Sequence, residues 1–116
     1  MIKLTPRDRY LRRTYGITVE EYERQLAVQG GVCWICQRPP KRLRLAVDHR
    51  HQKGERAIRK RHQQHELIRS MVRGLLCHTC NRAIALLRDS SLAAGRASIY
   101  LNDYPFQKLL EGDKNG

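Results

Sequence analysis

Asp48 and His49 stand side by side in the stretch Val47-Asp48-His49-Arg50-His51, and two cysteine pairs frame it, Cys33-Trp34-Ile35-Cys36 before and Cys77-His78-Thr79-Cys80 after. An aspartate offers a hard oxygen to a divalent cation, and an imidazole exchanges a proton near neutral pH. Side by side, the two suit metal-assisted activation of water. The cysteines suit a different task. Forty residues lie between Cys36 and Cys77, no cysteine is left over, and four thiolates would fill every position around a tetrahedral zinc. An ion held that way builds structure and does no chemistry. A redox role explains one C-x-x-C but leaves the second without a purpose.

A third residue joins the candidate reactive pair through its place in the chain. Asn81 directly follows the last cysteine, where a helix is expected to start. If zinc clamps that helix start near the strand carrying Asp48, then Asp48 and Asn81 offer a carboxylate and an amide oxygen to Mg²⁺, leaving positions for water and a phosphate oxygen. Regular strand alternation sends Asp48 and His49 to opposite faces, so the chain must bend or bulge there for both to meet one phosphate.

The elements that would hold these groups can be read in order. Thr5-Pro6-Arg7-Asp8 has the form of a helix start, and that helix should stop before Gly16. Thr18-Val19-Glu20-Glu21 has the form of a capping box. It opens a second helix with Val19, Tyr22 and Leu26 on one face, ending at Gly30-Gly31. Trp34, inside the first cysteine turn, could stack on a base or cap the core, and the core is favoured because Trp side chains are on average heavily buried. Leu43, Leu45 and Val47 alternate with Arg44 and Ala46, the period of a half-buried strand running into Asp48. Residues 71–76 read as a second strand entering Cys77. The helix from about His78 should bury Ala83, Ile84, Leu86 and Leu87, and a last helix from about Leu92 to Asn102 precedes a polar tail from Glu111. His62 and His65 lack a third ligand of fixed spacing and read as solvated.

The fold class expected is α+β, a small strand–strand–helix core stapled by a four-cysteine zinc site between N- and C-terminal helices. With 116 residues it forms one domain: a helical segment 1–31, the stapled core 32–90, and a C-terminal helix and tail 91–116. One Phe and one Trp make a thin core, so a staple is needed, as two disulfides or one metal site. No apolar run reaches a membrane span and Met1-Ile2-Lys3 opens no signal-peptide core, so a reducing cytoplasm is expected, which favours metal.

The formal net charge of +12 suits a polyanion better than a small substrate or, without a long amphipathic helix, a membrane surface. Between Lys41 and Arg73 stand eleven Lys and Arg against three acids. Arg56, Arg59, Lys60, Arg61 and Arg69 would clamp a DNA backbone, joined by Arg50 and Arg73 beside the motif. The plainer alternative is a solvated basic loop.

Cys33-x-x-Cys36, Asp48-His49-Arg50-His51 and Arg73-Gly74-Leu75-Leu76-Cys77-x-x-Cys80-Asn81, in that order, closely resemble the recombination endonuclease VII family of phage HNH nucleases, which share the ββα-metal fold. The likeness runs from about Tyr15 to Leu101. It implies structural zinc on the four cysteines and a catalytic Mg²⁺ or Mn²⁺ on Asp48 and Asn81. His49 would be the general base and His51 a supporting group at the phosphate. The reaction implied is DNA phosphodiester hydrolysis leaving 5′-phosphate and 3′-hydroxyl ends, in the host cytoplasm if the chain is phage-encoded. Departures from the pattern are Arg50 for a second acid, Ala46 for a histidine, Ala85 for a glycine, and the inserted basic stretch ending near Ser70. DNA is the expected partner and a membrane is not. A homodimer and phage packaging or recombination proteins stay open as partners. The rival reading is a zinc-knuckle nucleic-acid-binding protein without hydrolysis, separated from the first only by Asp48, His49 and Asn81.

Overall fold

Thr5 and Gly16 bound the first helix as their types demand. In the computed structural model, which describes residues 3–50 and 65–115, α1 spans Pro6–Tyr15. The Thr5 hydroxyl accepts from the Asp8 N–H, and Gly16 closes the helix in the left-handed conformation (φ 69°). Helix α2, Val19–Val28, carries the full capping box between Thr18 and Glu21. The two are joined tightly because Asp8 accepts from the Val19 N–H and from Arg12. The Val19 bond is the chief reason that the Asp8 carboxyl titrates below its ordinary range, against the opposing effect of burial.

Strands β1 (Ala46–His49) and β2 (Val72–Leu76) form an antiparallel pair, with the short helix α3 (His65–Ser70) just before β2. Helix α4, His78–Leu86, follows β2 after Cys77, giving the strand–strand–helix order of an α+β fold. Beyond it lie α5 (Ser91–Asn102), N-capped by Ser90, and α6 (Pro105–Asn115). The chain divides into two units, Met1–Asn81 and Arg82–Gly116. Among the described residues no helix is long and apolar enough to cross a membrane.

The first unit owns the core: Leu11, Ile17, Tyr22, Leu45, Val47, Ile68, Met71, Leu75 and Leu76. Helix α2 and the residue that caps it are tied by polar groups to β2 and to Leu45, just before β1. The Tyr22 hydroxyl donates to the Leu45 carbonyl (2.6 Å). Buried Gln29 behaves like a strand residue, accepting from the Leu75 N–H and donating to the Leu75 carbonyl, each at 2.9 Å. Such pairing is needed wherever amides are buried. Arg7 lies over the Tyr22 ring, 4.5 Å from its centroid, which gives that cation a packing role.

Several expectations need correcting. Trp34 is 58% exposed and Leu43 66% exposed, so neither belongs to the core, and β1 starts only at Ala46. In the second unit no described residue is buried; Ala83, Leu86 and Leu87 are exposed and Ile84 is half-buried. Three short helices alone lack a second layer against which to cover an apolar stripe. The tail is helical from Pro105, a good first helical residue, with Lys108 paired to Asp103.

One surface pair joins distant parts of the first unit. Arg69 on α3 makes a two-pronged ion pair with Glu21 on α2 and donates to the Gly16 carbonyl. Arg69, followed by the backbone bond from Thr18, draws the Glu21 carboxyl down to about 2. Because the folded value lies below the ordinary value of 4.5, this contribution is complete above about pH 5 and fades as pH falls toward 2. Arg69→Gln should therefore flatten the fall in stability between pH 5 and 2 relative to the wild type. Urea titrations at several pH values check this; parallel curves for the two proteins would contradict it.

Candidate metal centre and adjoining acid–base residues

The knuckle around Cys33 is shaped by the backbone. The Cys33 N–H donates to the Arg38 carbonyl, the Gln37 N–H returns to the Cys33 carbonyl, and Gln37 takes a positive φ of 62°. The Trp34 N–H reaches the Leu75 carbonyl on β2 (3.3 Å), so the knuckle is hung on the strand that delivers Cys77. The first turn of α4 then brings Cys80, and the Cys80 N–H points at the Cys77 sulfur.

The four sulfurs of Cys33, Cys36, Cys77 and Cys80 lie within 4.8 Å of one another, and all four are free thiols. With Zn–S bonds of about 2.3 Å, the edge of a tetrahedral sulfur cage is about 3.8 Å. Cys36 and Cys77 stand 3.8 Å apart. The cluster can hold a metal ion, and four sulfur donors of this spacing fit structural zinc. The thiols also compete for protons. Burial acts to raise the Cys33 thiol, but N–H groups of Cys36, Cys77 and Ile35 outweigh it and bring it down to about 6. Cys80 is pushed up to about 12 by burial, followed by hydrogen bonds to the other three sulfurs.

Asp48 lies one strand away from the cysteines, in the register Ala46↔Leu76, Val47↔Leu75, Asp48↔Gly74, then His49↔Val72. Arg73 is thereby the extra residue of a bulge in β2, opposite the step from Asp48 to His49. Its guanidinium grips the Asp48 carboxylate in a fork, Nε to Oδ2 at 2.7 Å and Nη2 to Oδ1 at 3.0 Å. Asp48 is only 5% exposed, so a cation at both oxygens is what makes its burial tolerable. His49, half-buried, packs against Tyr15 at the end of α1, ring centroids 5.6 Å apart and tilted by 56°, and Tyr15 in turn meets Tyr10 edge-on.

Asn81 is half-buried in the first turn of α4, its N–H donating to the Cys77 carbonyl, so the cysteine cluster fixes the backbone from which its amide projects. Arg50 is exposed just past β1. His51, Arg56, Arg59, Lys60 and Arg61 lie outside the described residues. Tyr15 beside His49 was missed by sequence reading. The glycine stop after it placed it correctly at the helix end, but no spacing rule links residue 15 to residue 49.

If the cysteines share one ion, folding and metal binding are a single equilibrium, worth on the order of 10 kcal/mol for a site of this kind. Protein purified without added metal should carry one zinc per chain. Cys36→Ser should lower the thermal midpoint sharply, and a strong chelator should unfold the wild type at neutral pH. Elemental analysis and circular dichroism read both; a metal-free protein with unchanged stability would contradict this.

The model of the family described as recombination endonuclease VII matches residues 8–103. The Gene 59 protein of Mycobacterium phage D29 is 44% identical over 99 residues, and that of Mycobacterium phage L5 is 40% identical over 99 residues. Each match covers 84% of this chain and 50% or 51% of the relative, so the chain spans about half the length of the curated relatives it matches. No solved structure gives a significant match. With the match spanning most of the chain, across both the cysteine cluster and the Asp48–His49 strand, the protein belongs to the recombination endonuclease VII family.

Proposed function

We propose that this chain is a metal-dependent DNA endonuclease of the HNH type. The observation that carries the reading is the buried Asp48 next to His49 at a strand bulge, in a member of a family described as endonucleases. Asp48 and Asn81 would hold the catalytic Mg²⁺ or Mn²⁺, since a carboxylate and an amide oxygen are the hard donors such ions take. When bound, the ion supplies positive charge to the phosphate oxygens. A ring nitrogen of His49 takes the proton of the attacking water as the new P–O bond forms and the bond to the 3′-oxygen breaks, and the departing 3′-oxygen takes a proton from solvent water, leaving 5′-phosphate and 3′-hydroxyl ends. Tyr15 limits the tilt of the imidazole from behind. His51 would steady the phosphate. Arg50, Arg56, Arg59, Lys60 and Arg61 would contact the DNA backbone; Arg69, committed to Glu21, serves the scaffold instead.

A positioned base contributes about 10²- to 10⁴-fold, so His49→Ala should lose that much cleavage of supercoiled plasmid while keeping its fold and its DNA affinity. Wild-type rates in a folded His49→Ala protein would overturn the assignment.

A binding-only protein is favoured by one observation: both oxygens of Asp48 are already engaged by Arg73. The two readings differ in what removal of Arg73 does. In the nuclease the guanidinium competes with the ion for one carboxylate. Arg73→Ala should then lower the thermal midpoint without added divalent ion, and Mn²⁺ should raise it by more degrees than in the wild type. A variant whose midpoint ignores Mn²⁺ would point to a purely structural ion pair.

A further inference from the structure

The tip of the cysteine knuckle carries side chains that the knuckle does not use. Trp34 is 58% exposed and Ile35 is 50% exposed, although the turn beneath them is already held by backbone bonds and by the Gln37 amide, which donates to the Trp34 carbonyl (2.6 Å). Immediately after the knuckle, Arg38, Lys41 and Arg42 line a groove of about 440 Å³ whose far wall is the first turn of α4, His78 and Thr79. Cys36 also lines it, and its Cα lies within about 7 Å of that of Trp34, because two residues reach no farther. Among the described residues none of these three cations pairs with a carboxylate.

An exposed indole with an unpaired cationic rim fits one kind of partner well. A protein surface would have to bring acids and an apolar pocket together. A nucleotide brings a phosphate and a flat π-face in every unit. In an intact duplex those faces are hidden in the stack, so the indole can meet one only where stacking is interrupted. We infer that the knuckle tip is a base-stacking platform: Trp34 stacks on an unpaired base while Arg38, Lys41 and Arg42 hold the adjoining phosphates. This rests on the reading of the chain as DNA-acting and adds to it a surface separate from Asp48 and His49.

Trp34 is the sole tryptophan, so its emission reports on the platform directly. The full chain with its metal is titrated, without added Mg²⁺, with a single-stranded oligonucleotide, a duplex carrying one unpaired base, and a fully paired, covalently closed circular duplex containing the same sequence. Emission should be quenched by the first two and unchanged by the third. Trp34→Ala should weaken binding to the first two by about 10- to 100-fold, the range that base–aromatic stacking supplies, and Trp34→Phe should restore most of it. Closed-duplex affinity should change less than about twofold, since no stacking is lost there. Changing Arg38, Lys41 and Arg42 together to Gln should reduce the single-strand salt slope by about 2.

DNA binding with unaltered emission, or Trp34→Ala binding unpaired bases as tightly as the wild type, would overturn the platform. So would a free protein whose Trp34 is shielded from acrylamide, since another part of the chain, or a second copy if shielding rises with concentration, would then occupy the surface. In each of these cases the nuclease reading stands if His49-dependent plasmid cleavage persists. A chain that binds no DNA of any form sinks both.

Discussion

Four sulfurs brought within 4.8 Å of one another are the constraint on which the rest of the first unit depends. The core is small, and a two-stranded sheet is marginal by itself. An ion joining Cys36 to Cys77 would close a loop that contains β1, the basic insertion, α3 and β2, and so remove much of the freedom the unfolded chain would regain. The same closure would bear on the strand that carries Asp48 and His49. It fixes the end of β2, and the pairing of Leu76 with Ala46 passes that placement to β1 and thus to Asp48 and His49. Helix α2 secures the arrangement from the other side through Gln29 and Tyr22.

Within that frame the bulge at Arg73 has two effects at once. It shifts the register of β2 opposite the step from Asp48 to His49, and it supplies the guanidinium that satisfies the Asp48 carboxylate. A carboxylate this deeply buried would be strongly disfavoured with no cation beside it. The pair therefore holds a potential metal ligand in place before any ion arrives. The corresponding drawback is competition, since an ion arriving at Asp48 must displace or share with a partner already forked onto both oxygens.

Local grammar was legible in the sequence. Thr5, Pro6, Gly16 and the Thr18–Glu21 box act within three or four residues of themselves, and the helices they bound begin and end as expected. The cysteine pairs were legible because metal geometry demands their spacing, and an irregularity at the step from Asp48 to His49 was expected, where the structure has a register shift with its extra residue in β2. What failed depended on partners that sequence order does not reveal. Average burial placed Trp34 inside, but its turn faces outward from β2 and needs no indole to hold it. Alternation from Leu43 overreached because only Leu45 and Val47 have core neighbours. The apolar positions of α4 were correctly placed on a helix, yet a stripe states only that burial is possible, and the described residues of the second unit supply no layer to cover it.

Charge shows the same division between composition and geometry. A net charge of +12 points to a polyanion as a whole, but the structure sorts its cations into two kinds. Arg12, Arg69 and Arg73 are paired with Asp8, Glu21 and Asp48, where they join helices and strands and leave little free field for a ligand. Arg38, Lys41, Arg42 and Arg50 are exposed without a carboxylate partner among the described residues, and their potential reaches solvent. Counting Lys and Arg from Lys41 to Arg73 cannot separate these kinds, because the count takes in Arg69 and Arg73 together with Lys41, Arg42 and Arg50. The acids decide. With 11 carboxylates against 23 cations, the acids Asp8, Glu21 and Asp48 engage arginines that join elements of the first unit, and the excess of cations is what a phosphate backbone can meet.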